Sequence, residues 1–222
     1  MSALFKTLEN SELSEFSFQA NRLINWCKHD ALPLWGKYGV DKSGGFYETL
    51  NYDGSPDLSV KRRVRVQARQ CYVYSLAITK EWFAPSKCIA DHGWAFLSQQ
   101  GLKGGDHISP DVFNGCAHLL NSDGSLHDGT RDTYAQAFLL LSSAWRYRAS
   151  SDAHALETLY ATTSFLNENF RSKFGGWAED CQQSLPRRQN PHMHLFEAFM
   201  AAFEATNDKL FLELADEIFE LF

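Results

Sequence analysis

At 222 residues and 44% hydrophobic, the chain is long enough for one sizeable core, and no linker-like stretch divides it into two. A net charge of −6, with no basic run beyond KRRVR at 61–65, argues against nucleic acid or anionic lipid as the main partner and favours a small molecule. No window reaches the roughly 18 uncharged apolar residues of a membrane span, and the acidic N-terminal stretch lacks the apolar core of a signal peptide, so the expected location is the cytoplasm.

Helical periodicity dominates the chain. The first helix is expected from Glu12 to His29, with Leu13, Phe16, Ala20, Leu23, Ile24 and Cys27 forming a core-facing stripe and Pro33 ending the element. The second runs from Val64 to Glu81, the third from Pro85 to Gln100 and the fourth from Thr133 to Ala149. A fifth starts at the Ser151-Asp152 cap pair and ends near Phe170, a sixth runs from Pro191 to Ala205, and a seventh from Asn207-Asp208 is still amphipathic at Phe222.

The long connections fall between odd and even helices, and they repeat. LNYDGS at 50–55 returns as LNSDGS at 120–125, and each connection holds a Gly-Gly pair: Gly44-Gly45, Gly104-Gly105 and Gly175-Gly176. Asp-Gly marks a tight turn because Gly accepts positive φ and Asp bonds its own backbone, so small β-hairpins are expected in the loops. Residues 65–77 fall on residues 132–144, with 197–205 as a looser third copy. The repeating unit is therefore helix, Gly-rich loop, helix, and such units stack because none buries its apolar face alone. Helices two, four and six should line the inside, helices one, three and five the outside, with all three loops at one end, where functional residues gather on a rigid scaffold.

The first turns of the inner helices offer Arg65, Gln67 and Arg69, then Asp132, Tyr134 and Gln136, then Asn190, His192, His194 and Glu197, before each helix turns apolar. Polar ends on apolar shafts suit a toroid whose open end is a pocket, and the 14% aromatic content suits flat faces lining it. His192 and His194 are two apart and cannot share a helix face, which is unlike the i, i+4 histidines of a helical zinc site, so no metal is expected. An imidazole that titrates near neutrality suits a general base for a carbon acid, and His194 beside Asn190 is the candidate. The five cysteines (Cys27, Cys71, Cys88, Cys116, Cys181) are an odd set without a C-x-x-C pair and are expected to be reduced and mostly buried.

GGFYETLNYDGSP, VQARQCY, DTYAQAF, GGWAED and NPHMHLFEAFMAAFEAT together resemble the N-acylglucosamine 2-epimerase family of sugar epimerases and isomerases, particularly its D-mannose isomerase-like members. The resemblance implies an all-α fold, an (α/α)6 barrel, and aldose–ketose interconversion or epimerisation at C2 through an enediolate, with histidine proton transfer and neither metal nor cofactor. It matches Arg69 to an arginine on the substrate oxygens near C1 and C2, Tyr134 to a sugar-contacting tyrosine, and Asn190 with His194 to an N-x-x-x-H pair. Trp177 is a candidate ring-stacking wall.

The family's second half carries a further H-x-x-E motif and a late histidine, and neither follows His194 here. Seven helices are expected where a closed barrel has twelve. Residues 1–222 are accordingly expected to be one domain, the N-terminal part of an incomplete barrel. Alone it should lack isomerase activity, and Phe211, Leu214, Ile218, Phe219 and Phe222 should lack partners, leading to a homo-oligomer or to pairing with a missing C-terminal half. Were the chain active alone, its bases would lie among His92, His107, His118, His127, His154 and His192. Two rival readings are a glycoside hydrolase, whose paired carboxylates would come from Glu179, Asp180, Asp111 and Asp128, and a non-catalytic helical repeat or sugar-binding remnant. Arg187 and Arg188 fit a solvated loop better than a phosphate site.

Overall fold

The computed structural model describes residues 10–102 and 113–222, with side chains of the first segment from residue 15 onward. Gly104-Gly105, His107 and Asp111 lie outside the described residues. Helix α1 (Asn10–Trp26) passes through a π turn (Cys27–Ala31), a short α2 (Leu32–Leu34) and a second π turn (Trp35–Gly39). Beyond these come β1 (Arg62–Arg63), α3 (Val64–Thr79), α4 (Ser86–Phe96) with a π turn to Gly101, β2 (Leu119–Leu120), β3 (Leu126–Asp128), α5 (Thr133–Ser150), α6 (Ala153–Asn169), α7 (Gln189–Thr206) and α8 (Lys209–Leu221).

Two features of the first helix differ from expectation. The helical path does not end at Pro33 but continues to Gly39, with π turns on either side of it. A wider turn accommodates a ring that lacks an N–H and would crowd a regular α-helix. The expected stripe does not face this chain's core: Phe16 is 72% and Leu23 61% exposed, and Trp26 is exposed with them.

The other helices form two layers. Helices α3, α5 and α7 lie side by side, and α4, α6 and α8 back them as antiparallel partners. Helix α5 is the centre of the core, buried without interruption from Ala135 to Ala144, because it has neighbours on both flanks and behind. Phe211, Leu214 and Ile218 of α8 are buried against this core, contrary to expectation, while Phe219 and Phe222 are exposed. Local chemistry sets the helix starts. Asp132, Asp152 and Asp208 cap α5, α6 and α8 by accepting backbone N–H groups of the first turn. Ser151 and Asn207, in the left-handed conformation, end α5 and α7.

The two Asp-Gly turns are alike bond for bond. The Asn51 N–H donates to Ser55 C=O at 2.8 Å and the Asn121 N–H to Ser125 C=O at 2.8 Å. In each, an aspartate (Asp53, Asp123) accepts the following serine's N–H at 2.9 Å. Gly54 and Gly124 turn with φ of 85° and 86°. The second turn closes the hairpin β2–β3, and β1 pairs antiparallel with β2, giving a three-stranded sheet in the order β1-β2-β3.

The loops also interlock with the inner helices. The Val64 N–H at the start of α3 donates to His118 C=O (3.1 Å), and the Thr133 N–H at the start of α5 donates to Glu179 C=O (2.9 Å). The second and third loops are thereby pinned to the inner-helix N-termini, at one end of the assembly. Cys71 and Cys116 are buried, and burial pushes both thiols up to about 12, but Cys88 and Cys181 are exposed, so the expectation of mostly buried cysteines fails.

Candidate active site

The inner helices superpose in a register that motif matching missed by two residues. Counting from the residue before each helix (Arg63, Asp132, Arg188), the fourth position holds Gln67, Gln136 and His192. Each reaches back to a loop backbone. Gln67 accepts the Phe46 N–H (2.7 Å) and donates to its carbonyl (2.9 Å), and Gln136 does the same for Cys116 (2.8 and 2.9 Å). His192 accepts the Trp177 N–H on Nε2 at 3.0 Å. Its proton is therefore on Nδ1, facing Arg188 C=O, and burial holds its pKa below the usual imidazole value. The residue before each anchored backbone is a glycine at positive φ: Gly45 (70°), Gly115 (64°) and Gly176 (60°). A Cβ at any of them would come within 2.4–2.8 Å of neighbouring side chains, the anchoring Gln67, Gln136 or His192 included. Gly115 is thus the glycine of the second loop that corresponds to Gly45 and Gly176.

The second position of the same register holds Arg65, Tyr134 and Asn190, and the sixth holds Arg69, Phe138 and His194. These are two rings of side chains about 6 Å apart along the helices. They form one connected cluster. The Arg65 guanidinium lies 5.4 Å from the Tyr134 ring centre and that of Arg69 4.9 Å from Phe138. The His194 ring centre is 5.2 Å from Tyr134 and 4.6 Å from Phe138. His194 Nδ1 meets Glu197 at 3.2 Å, and a carboxylate that only accepts puts the hydrogen on Nδ1, leaving Nε2 free for chemistry.

Above this cluster is a cavity of about 430 Å³ lined by Arg65, His118, Asp128, Asp132, Tyr134, Arg188 and Asn190, among others. His118 Nδ1 donates to Asp132 at 2.6 Å, and this bond holds the His118 pKa above the usual value. Four of the five expected site residues (Arg69, Tyr134, Asn190, His194) thus occupy one end of the inner layer. Trp177 does not join them: it is fully buried between Phe199 and His192, with Arg171 over its ring, and offers no face to a sugar. His118, which the sequence offers only as one of six alternative bases, lines this cavity. Among the described residues no group of three or more His, Cys, Asp or Glu side chains is arranged to hold a metal.

Residues 45–222 match the family model described as N-acylglucosamine 2-epimerase (GlcNAc 2-epimerase). The chain belongs to the N-acylglucosamine 2-epimerase family. Family relatives include a mannose-6-phosphate isomerase of Rhizobium meliloti (strain 1021), 35% identical over 216 residues, which cover 93% of this chain and 52% of the relative. A D-mannose isomerase of Thermobifida fusca is 30% identical over 92% of this chain and 47% of its own length. Among solved structures, the cellobiose 2-epimerase of Spirochaeta thermophila superposes with a TM-score of 0.80 at 22% identity, covering 95% of this chain and 55% of that one. The last shows the shared fold, the helical barrel of N-acylglucosamine 2-epimerase proteins. The chain spans about half the length of these relatives.

Of the hydrolase carboxylates, the three among the described residues are engaged in local bonds, Asp128 accepting the Thr130 N–H at 2.9 Å. Glu179 is buried and holds the Arg188 guanidinium (Nε at 2.8 Å), while Asp180 accepts the Gln182 and Ser184 N–H groups. Arg187 donates to Ser172 Oγ (3.0 Å) and Gly175 C=O (2.6 Å), which fits the loop role expected of it. No helix among the described residues is long and apolar enough to cross a membrane.

Proposed function

We propose that this chain supplies the first half of the active site of a sugar isomerase or epimerase acting on a mannose-type aldose. The observation that carries the proposal is the ring of Arg69, Phe138 and His194, brought together from three inner helices in a member of this family. Relatives named for mannose and mannose 6-phosphate support the substrate class.

In this mechanism the open-chain sugar lies against Tyr134 with its C1 and C2 oxygens toward Arg69, whose guanidinium rests on the buried Phe138 ring. A base takes the hydrogen from C2, the C–H electrons form the C1–C2 double bond, and the carbonyl pair moves onto O1 as an enediolate. Arg69 has no acidic partner among the described residues and stabilises the developing anion with a fixed charge. When the O2–H proton passes to O1, the O2 electrons form the C2–O2 double bond and the proton returns to C1, the product is the ketose; return to the opposite face of C2 gives the epimer. His194, with Nε2 free, is one proton-transfer group, and Asn190 holds a sugar hydroxyl. By the family resemblance, the other acid/base histidines belong to the half these 222 residues do not contain.

The test is to incubate the natural full-length protein with mannose, fructose and a β-linked mannan and to separate the products. Interconversion of mannose and fructose, or a C2 epimer of mannose, is expected. Release of reducing ends from the polymer without either would overturn the proposal in favour of a hydrolase.

A further inference from the structure

Each of the three repeats ties its loop to its inner helix through one ionic pair in the same place. The loop residue two beyond the anchored backbone meets the residue just before the helix: Glu48 with Arg63, His118 with Asp132, Glu179 with Arg188. In the outer two, a carboxylate accepts from both the backbone N–H and the guanidinium of the arginine. The middle pair is reversed, with the acid at the helix start and a titratable imidazole on the loop. Fastening the loop does not require histidine, since glutamate with arginine does it twice. This histidine is also the one that faces the cavity.

We propose that His118 is a catalytic residue that opens the pyranose ring of the bound aldose before enolisation, with Asp132 as its positioning residue. The proposal rests on the isomerase or epimerase reading above, because enolisation needs a free carbonyl and aldoses rest as cyclic hemiacetals. The geometry fits proton exchange. Asp132 accepts from Nδ1 at 2.6 Å, which fixes the tautomer and leaves Nε2 as the lone-pair nitrogen. Among the described residues Nε2 has no hydrogen-bond partner, and it shares the cavity with Arg65, Tyr134 and Asn190. Asp132 and Asp128 favour the imidazolium, Arg65 opposes it, and Arg188 across the cavity is held by Glu179. The bond to Asp132 raises the His118 pKa, and imidazole is the side chain suited to taking up and giving back a proton.

The step balances without a co-reactant. Nε2 takes the hydrogen of the anomeric O1–H, the O–H electrons become the second C1–O1 bond, and the C1–O5 bond breaks with its pair on O5. O5 then takes the proton back from Nε2–H, restoring the neutral imidazole. Both oxygens are bonded to C1, so one nitrogen can serve both.

The test compares two rates in the natural full-length protein. One is interconversion of mannose anomers from freshly dissolved α-mannopyranose. The other is exchange of the C2 hydrogen of glyceraldehyde in heavy water, a sugar too short to close a pyranose ring. His118→Gln is expected to lower the ratio of the first rate to the second by about a hundredfold. Asp132→Asn keeps an oxygen for the Ala135 cap but turns a donor toward Nδ1, and should lower the same ratio, whereas His194→Gln should raise it. A ratio unchanged in both His118→Gln and Asp132→Asn, or a natural protein that does not speed anomer exchange, overturns the proposal. Anomer exchange that depends on His118 in a protein that exchanges no C2 hydrogen would overturn the isomerase reading and leave ring opening standing.

Discussion

Arg69 is exposed at the open end of α3, its guanidinium 4.9 Å from Phe138, and its charge is uncommitted to any carboxylate among the described residues. Arg69→Ala should therefore leave folding intact while lowering kcat/KM by about 3 kcal/mol, the scale of one preorganised charge donor. A loss under tenfold, measured on the full-length protein, would reduce Arg69 to a helix-surface residue. His118 gives a second test at this scale, through pH. Its folded pKa is raised above the unfolded value, so its pairing with Asp132 contributes stability that is fully present below about pH 6.5 and disappears as pH rises through the higher folded value. Melting temperatures of the natural chain and Asp132→Asn should thus differ most on the acid side and converge above neutrality. His192, whose pKa is lowered, pulls the other way but is common to both proteins. Arg69, Tyr134, Asn190 and His194 were legible as candidates through the family motifs that hold them, each motif lying in the first turns of one inner helix. His118 was not, because its partner comes from another element and the loop between them varies in length across the three repeats.

Among the elements, the loops depend on the side chains that anchor them. Gln136→Leu would leave the buried Cys116 N–H and C=O without their partner and should cost about 2 kcal/mol or more in urea unfolding, with faster amide exchange at Cys116. Gly176→Ala forces a Cβ to within 2.7 Å of His192 Nε2 at a φ of 60°, and should be as damaging. A fully stable variant in either case would show that the loops hold by their own turns. Helix existence and order were legible from periodicity, and the repeat from its Asp-Gly turns. The repeat's register was not: the glutamines at 67 and 136 are equivalent by their bonds to backbone, while overall residue likeness favoured an alignment two positions away. Pro33 misled because a proline signals a helix end by its missing N–H, and the flanking π turns absorb that loss without ending the helix.

At the scale of the whole molecule, the three helical pairs bury a continuous core, yet Phe16, Phe18, Leu23 and Trp26 on α1 and Phe219 and Phe222 at the other end remain exposed. Apolar surface of that kind favours association, so residues 1–222 purified alone should scatter light as an oligomer and convert no mannose. A monodisperse monomer that turns mannose over would mean the site is complete within these helices. The central claim, that the inner-helix end carrying Arg69 and His194 performs proton transfer at C2 of a sugar, is tested most directly by following the C2 hydrogen of mannose by proton NMR in heavy water. The natural full-length protein should replace that hydrogen with deuterium, and Arg69→Ala and His194→Gln should each slow the replacement by about a hundredfold or more. No replacement by the natural protein, or replacement that both variants leave untouched, would contradict it.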